Sequence, residues 1–184
     1  MLDATVHPFV AALALTGVAA IWDLRTGRIP NRLVLIGALG ALGMACLFGL
    51  SGGVVGVASA LSAMAFGALL VSVVPILLHR LGGLGGGDVK LLAVVGALLG
   101  PYLGLEAELY AFFVAVLYAP ARLIWERKLL SSMRLVGRML VRPLLPRARR
   151  GEPVSQASMT SFRFGPAIFV GTMTVAVLRL GGVA

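Results

Sequence analysis

Charge is what this sequence has least of: Asp, Glu, Lys and Arg make up 12% of its 184 residues, where a soluble domain carries roughly a quarter. With 59% hydrophobic residues and a mean hydropathy of +1.00, the chain is excluded from the ordinary soluble classes. It reads as all-α, a polytopic membrane protein. Cysteine is nearly absent. The single Cys46 sits inside an apolar run, which rules out an intrachain disulfide and a multi-cysteine zinc site. No metal and no cofactor is expected. Basic residues are missing from the first seven positions, which hold Asp3. A cleavable signal peptide needs a basic start, so the small-residue run Gly17-Val18-Ala19-Ala20 is read as part of a retained first helix and not as a cleavage site.

What is present is a series of apolar runs. About 20 residues of helix cross the hydrocarbon core of a bilayer, and about six candidate spans appear: Val6–Trp22, Leu33–Leu50, Val54–Leu78, Val89–Leu99, Leu105–Trp125 and Phe164–Leu180. Pro8 falls in the first turn of the first span, and Pro75 is placed as a kink near the end of the third. The fourth span is short and stops at Gly100-Pro101.

The basic residues decide the topology. Fifteen of the 16 Lys and Arg fall between spans one and two, three and four, or five and six, leaving Arg179 as the exception. By the positive-inside rule that side is cytoplasmic. Both termini then lie outside, with Asp3, Glu106 and Glu108. The +9 formal charge therefore reports orientation, and no aromatic-basic interleaving of the kind that binds nucleic acid is present. The whole chain, 1–184, reads as one membrane-embedded domain with a basic cytoplasmic loop at 126–161. Within that loop Arg127, Arg134, Arg138 and Arg142 share a helical face, and Leu130, Met133, Val136 and Leu140 lie mainly on the other. That pattern predicts an interfacial amphipathic helix whose cations meet anionic lipid headgroups. A solvated basic loop is the plainer alternative.

Two acids stand out. Asp88 follows Gly82-Gly83-Leu84-Gly85-Gly86-Gly87, five glycines in six positions, and precedes Val89-Lys90 and a further apolar run. It is either the N-cap of a membrane helix or an intramembrane functional group. The glycine pattern fits neither a phosphate-binding P-loop nor a dinucleotide fingerprint. Asp23 ends the first span, and Leu24 to Arg32 lead into the second. Topology thus delivers two aspartates, 65 positions apart, to one membrane face at similar depth. Two adjacent carboxylates share a proton and titrate as a unit. The ionised member can activate water while the protonated one hydrogen-bonds the carbonyl under attack, as in aspartic proteases. The competing reading pairs Asp23 with Arg25 or Arg28 as a membrane-edge salt bridge.

Gly85-Gly86-Gly87-Asp88-Val89-Lys90 resembles the GxGD motif of intramembrane aspartyl proteases. Together with Asp23, the segment Arg28-Ile29-Pro30-Asn31 and the late Phe164-Gly165-Pro166-Ala167, it resembles the type IV prepilin peptidase family, particularly its short members from tight-adherence pilus systems. The resemblance covers nearly all six spans. It implies an endopeptidase of the bacterial cytoplasmic (inner) membrane that removes the short basic leader of a prepilin or pseudopilin at the cytoplasmic face. Asp23 and Asp88 are implied as the catalytic pair. Gly85, Gly86 and Gly87 are assigned to loop geometry and close passage of an extended substrate. Pro30 and Asn31 match the Ile-Pro-Asn element, with Asn31 a good N-cap for the second helix. Lys90 is either a headgroup anchor or a charge beside Asp88. Longer family members add a cytoplasmic region with paired Cys-x-x-Cys elements tied to N-methylation; with one cysteine, this chain is expected to act as a peptidase alone. An archaeal-type preflagellin peptidase and a small ion-coupled transporter are the alternatives. Transport is disfavoured because the spans hold few midplane polar groups and the two halves do not match. Oligomeric state is not legible.

Overall fold

The computed structural model describes residues 3–125 and 163–182. Every regular element among them is helical: α1 (Asp3–Thr26), α2 (Asn31–Gly49), α3 (Gly53–Arg80), α4 (Gly86–Trp125) and α5 (Gly165–Gly181), with a 3-10 turn at Leu50–Gly52. The interfacial helix expected within 126–161 lies outside the described residues. The chain divides into two compact units. The first, Met1–Val114 with Arg163–Ala184, contains every contact given below; of the second, Ala115–Phe162, only the end of α4 is described.

Val6–Thr26, Asn31–Arg80 and Gly86–Tyr118 are long and apolar enough to cross a membrane, and Gly165–Gly181 is a shorter apolar helix. A bilayer supplies no water to pair with backbone amides, so apolar segments of this length close their own hydrogen bonds as helices. Their outward faces carry Leu35, Ile36, Leu39, Leu69, Leu109 and Val116, all exposed. Such exposure suits lipid and would be a liability in water. The structure is an all-α membrane protein.

The chain reverses where the sequence places turns. After α2 the backbone passes through Leu50–Gly52 and Gly53, whose φ of 63° needs a residue without Cβ. A methyl group on Gly49 would lie 2.6 Å from Val57 Cα, so α2 and α3 are pressed together just past this turn. The expected fourth and fifth spans are two helices that meet at Gly100, whose φ of 78° and ψ of 177° break the run, and together they make up α4. Its two arms fold back on each other. A methyl on Gly104 would come within 2.8 Å of Gly96 Cα, whereas eight residues of straight helix span about 12 Å.

Small residues hold the arms together. Gly67 of α3 meets the backbone of Gly96 and Gly100, and Val71 packs against Gly96 and Gly104. Gly171 of α5 abuts the Ala107 and Ala111 backbones. Close backbone approach of this kind takes over inside a bilayer, where there is little hydrophobic drive between helices. Elsewhere α1 packs on α5 and α2 on α3. The core they share includes Leu91, Leu92, Val95, Ile168 and Val175, all fully buried. Pro75 is buried in the same core, within α3.

Candidate active site

The C-terminus of α1, the turn into α2, the N-terminus of α4 and the N-terminus of α5 converge at one end of the first unit. Gly27, at φ 67°, halts α1, and its amide bonds the Asp23 carbonyl at 2.8 Å. This is the left-handed helix stop that glycine favours. Asp23 therefore sits in the last turn of α1, four residues before the stop, and it is 4% exposed.

α3 ends in the same manner. Gly82 takes φ 80° and its amide bonds the His79 carbonyl at 2.9 Å, while the Gly83 amide bonds that of Leu78. The His79 ring nitrogen Nδ1 is 2.8 Å from the Leu84 carbonyl, which secures the loop leading into α4. Helix α4 starts at Gly86, so Asp88 is its third residue. The N-cap reading of Asp88 is thereby corrected. Its carboxylate instead reaches back to the Gly85 amide, as the third residue does in a capping box. Asp88 is 7% exposed and its Oδ1 is buried with no hydrogen-bond partner among the described residues.

The two carboxylates stand within range of each other's charge. Among the described residues neither forms a salt bridge with Arg25 or Arg28. Two buried acids within range of each other's charge, with no cation bonded to either among the described residues, make a poor structural device. They make a good arrangement for sharing one proton between two oxygens and a substrate.

The other candidate residues have definite neighbours. A methyl on Gly85 would lie 2.8 Å from Asp88 Oδ2, and one on Gly87 would lie 3.1 Å from Ile29 Cβ. Glycine at these two positions makes room for the Asp88 carboxylate and for the α1–α2 turn. Gly86 and Gly87 belong to the first turn of α4 and are not part of an open loop. A methyl on Gly86 would meet the His79 ring at an ordinary 3.5 Å.

Asn31 opens α2 as its first residue. The cap position belongs to Pro30, and no side chain caps the helix, so Asn31 is not the N-cap that its residue type suggested. Its Oδ1 instead accepts a hydrogen bond from Lys90 Nζ at 3.1 Å. Lys90 is exposed and ties the α1–α2 turn to the start of α4. That link, with the Ile29–Gly87 contact, joins the segments bearing the two aspartates.

Three residues make contacts that local pattern does not predict, although Gly165 lies in the segment Phe164-Gly165-Pro166-Ala167 that the sequence singles out. Gly165 donates its amide to Asp23 Oδ2 at 3.0 Å, and Arg163 donates to the Leu24 carbonyl at 2.5 Å. Both sit about 140 positions from their partners, beyond the reach of local pattern. Glu108, near Glu106 in sequence, is 3% exposed, and its Oε1 is buried with no hydrogen-bond partner among the described residues. A signal for this existed: Gly104, Glu108, Ala111 and Ala115 recur on one helical face, the one that is buried. Glu106 does lie at the far end. It binds Arg179, the exceptional cation, at 2.6 Å.

No solved structure matches this chain. A curated relative, the prepilin leader peptidase/N-methyltransferase of Bacillus subtilis (strain 168), is 31% identical over 168 residues. That alignment takes in 88% of this chain and 57% of the relative, so the chain spans little more than half the length of the protein it matches. Residues 10–120, a stretch that includes Asp23, the α1–α2 turn and Asp88, match the type IV leader peptidase family. With two buried aspartates brought to one end of a helical membrane bundle, the chain belongs to the type IV leader peptidase family.

Proposed function

We propose that this protein is an aspartic endopeptidase that removes the short basic leader from a prepilin or pseudopilin. The observation that carries the proposal is the pair Asp23 and Asp88. They are buried at one end of the bundle, within range of each other's charge and without a bonded cation among the described residues. In the proposed reaction one carboxylate takes a proton from water as its oxygen attacks the scissile carbonyl. The other, protonated, donates to the carbonyl oxygen. The tetrahedral intermediate then collapses, the amide C–N bond breaks, and a proton passes from the dyad to the departing amine.

The relative's name also includes N-methyltransferase. We propose leader cleavage without methylation for this chain, whose one cysteine supplies no Cys-x-x-Cys pair. The short, tight-adherence type of peptidase is the proposed subclass. The proposed setting is the bacterial cytoplasmic membrane with the dyad facing the cytoplasm, on the strength of the basic-residue asymmetry. The basic stretch 126–161 is proposed to bind anionic lipid and not the leader, because a basic leader would be repelled by it. Neutralising Arg134, Arg138 and Arg142 should then weaken the dependence of activity on anionic lipid; activity unchanged across anionic and neutral lipids would remove that role.

The test of the main proposal is incubation of the purified protein with a prepilin-like precursor, followed by mass spectrometry of the products. The expected result is one cut between leader and hydrophobic helix and an unmethylated new N-terminus. An intact precursor with folded wild-type protein would overturn the peptidase reading; a methylated product would overturn the restriction to cleavage.

A further inference from the structure

The segment Arg163-Phe164-Gly165 enters the site without a part in the chemistry proposed above, yet it is fastened to Asp23 from two directions. The last four carbonyls of a helix have no partner within the helix. In α1 these include Asp23 and Leu24. The Asp23 carbonyl is taken by the Gly27 amide at 2.8 Å, and the Leu24 carbonyl by Arg163 Nη1 at 2.5 Å. Two residues on, the Gly165 amide holds Asp23 Oδ2 at 3.0 Å. Phe164 between them is 3% exposed and lies 5.4 Å from the Phe112 ring, centroid to centroid, so the segment is anchored in the core.

The fit at Gly165 leaves no slack. A methyl there would lie 2.9 Å from Asp23 Cβ and 3.0 Å from its Oδ2. Arg163 adds a cation within electrostatic range of the same carboxylate without forming an ion pair with it. Asp23 is thus held by one oxygen. The other, Oδ1, has no hydrogen-bond partner among the described residues.

Resting on the reading of Asp23 and Asp88 as the reacting pair, we infer that Arg163 and the Gly165 amide are positioning groups. Through the Leu24 carbonyl and Asp23 Oδ2 they fix the end of α1 so that one Asp23 oxygen is presented to the substrate. Neither touches the substrate. Their loss changes how often the dyad is aligned and leaves the binding of the leader and the hydrophobic helix alone.

The experiment compares wild type with Arg163→Gln, Arg163→Lys, Gly165→Ala and, as a control, Arg25→Gln, an exposed cation in the last turn of α1. Turnover is measured on a prepilin-like precursor, and amide hydrogen exchange of residues 23–28 is measured without substrate. In Arg163→Gln and Gly165→Ala, kcat should fall by roughly tenfold to a hundredfold, the scale of an ångström-sized misplacement. KM should stay within about twofold, and exchange at 23–28 should rise about tenfold as the helix end frays. Arg163→Lys, which keeps a donor and a charge, should recover part of both losses, and Arg25→Gln should behave as wild type. A purely structural role would move stability without splitting kcat from KM. Unchanged kcat and unchanged exchange in Arg163→Gln, or equal losses in Arg25→Gln, would overturn the inference. Failure of wild type to cleave any precursor would count against the peptidase reading, while the exchange arm would still decide whether Arg163 holds the end of α1.

Discussion

The two ends of the bundle treat carboxylates in opposite ways. At the far end Glu106 meets Arg179 at 2.6 Å, with the guanidinium also 5.6 Å from the Tyr102 ring centroid. At the site end Asp23 and Asp88 are 4% and 7% exposed, and the nearby cations are engaged elsewhere, Arg163 on the Leu24 carbonyl and Lys90 on Asn31. The far edge neutralises Glu106 in the simplest way open to it, while Glu108, two residues on, is a single buried acid. The site end keeps two acids without an ion pair among the described residues and directs Arg163 and Lys90 to the backbone and side chains around them. The contrast between the Glu106–Arg179 pair and the two neighbouring aspartates is what supports the proposal that the site end is functional.

Substitutions can break this contrast. The largest effect is expected from Asp23→Ala or Asp88→Ala, either of which should lower turnover about a thousandfold, within the range of general acid–base contributions. Unchanged circular dichroism would show that the helices remain. Next comes Ile29→Lys, which would give the site end what the far end has. Ile29 touches Gly87, next to Asp88, and a cation there would pair with the dyad and hold it ionised. Turnover should fall by roughly tenfold or more, and wild-type rates in that variant would show that the absence of a bonded cation is incidental.

The connection between the two ends is tested by Gly96→Val. A methyl on Gly96 already meets Val71 at 2.8 Å, so a larger side chain would part α3 from the two arms of α4. Overpacking of this order costs about 1–3 kcal/mol, readable as a lower melting temperature in detergent. The smallest effect is expected from Arg179→Gln. Both partners of its ion pair are partly exposed, and such pairs contribute little to stability. Turnover should be unchanged, and a catalytic defect in this variant would erase the difference between the ends.

Features of local origin were legible in the sequence. Helices appear where apolar runs are long, and the chain turns at Gly27, Gly53, Gly82 and Gly100, each with positive φ. The topological argument that brought Asp23 and Asp88 to one end needed only the count of spans and the placement of cations. What escaped depends on tertiary partners. Asn31 has the residue type of an N-cap and stands at a helix start, yet its Oδ1 serves a lysine 59 positions away. Gly85 and Gly87 looked like open backbone, and the structure fills that space with the Asp88 carboxylate and Ile29. Arg163 counted as one more cation between the fifth and sixth spans until its bond to Leu24 set it apart. Glycine and arginine are the residues whose use is least determined by their neighbours in sequence, since one is defined by what approaches it and the other by what it reaches.

The central claim is that Asp23 and Asp88 act as one unit, and the most direct measurement is turnover of a prepilin-like precursor by wild type, Asp23→Asn, Asp88→Asn and the double variant. Residues that act together show grossly non-additive losses. The account predicts that each single variant is as inactive as the double one, while all four proteins remain folded. Substantial turnover in either single variant, or losses that multiply in the double variant, would contradict it.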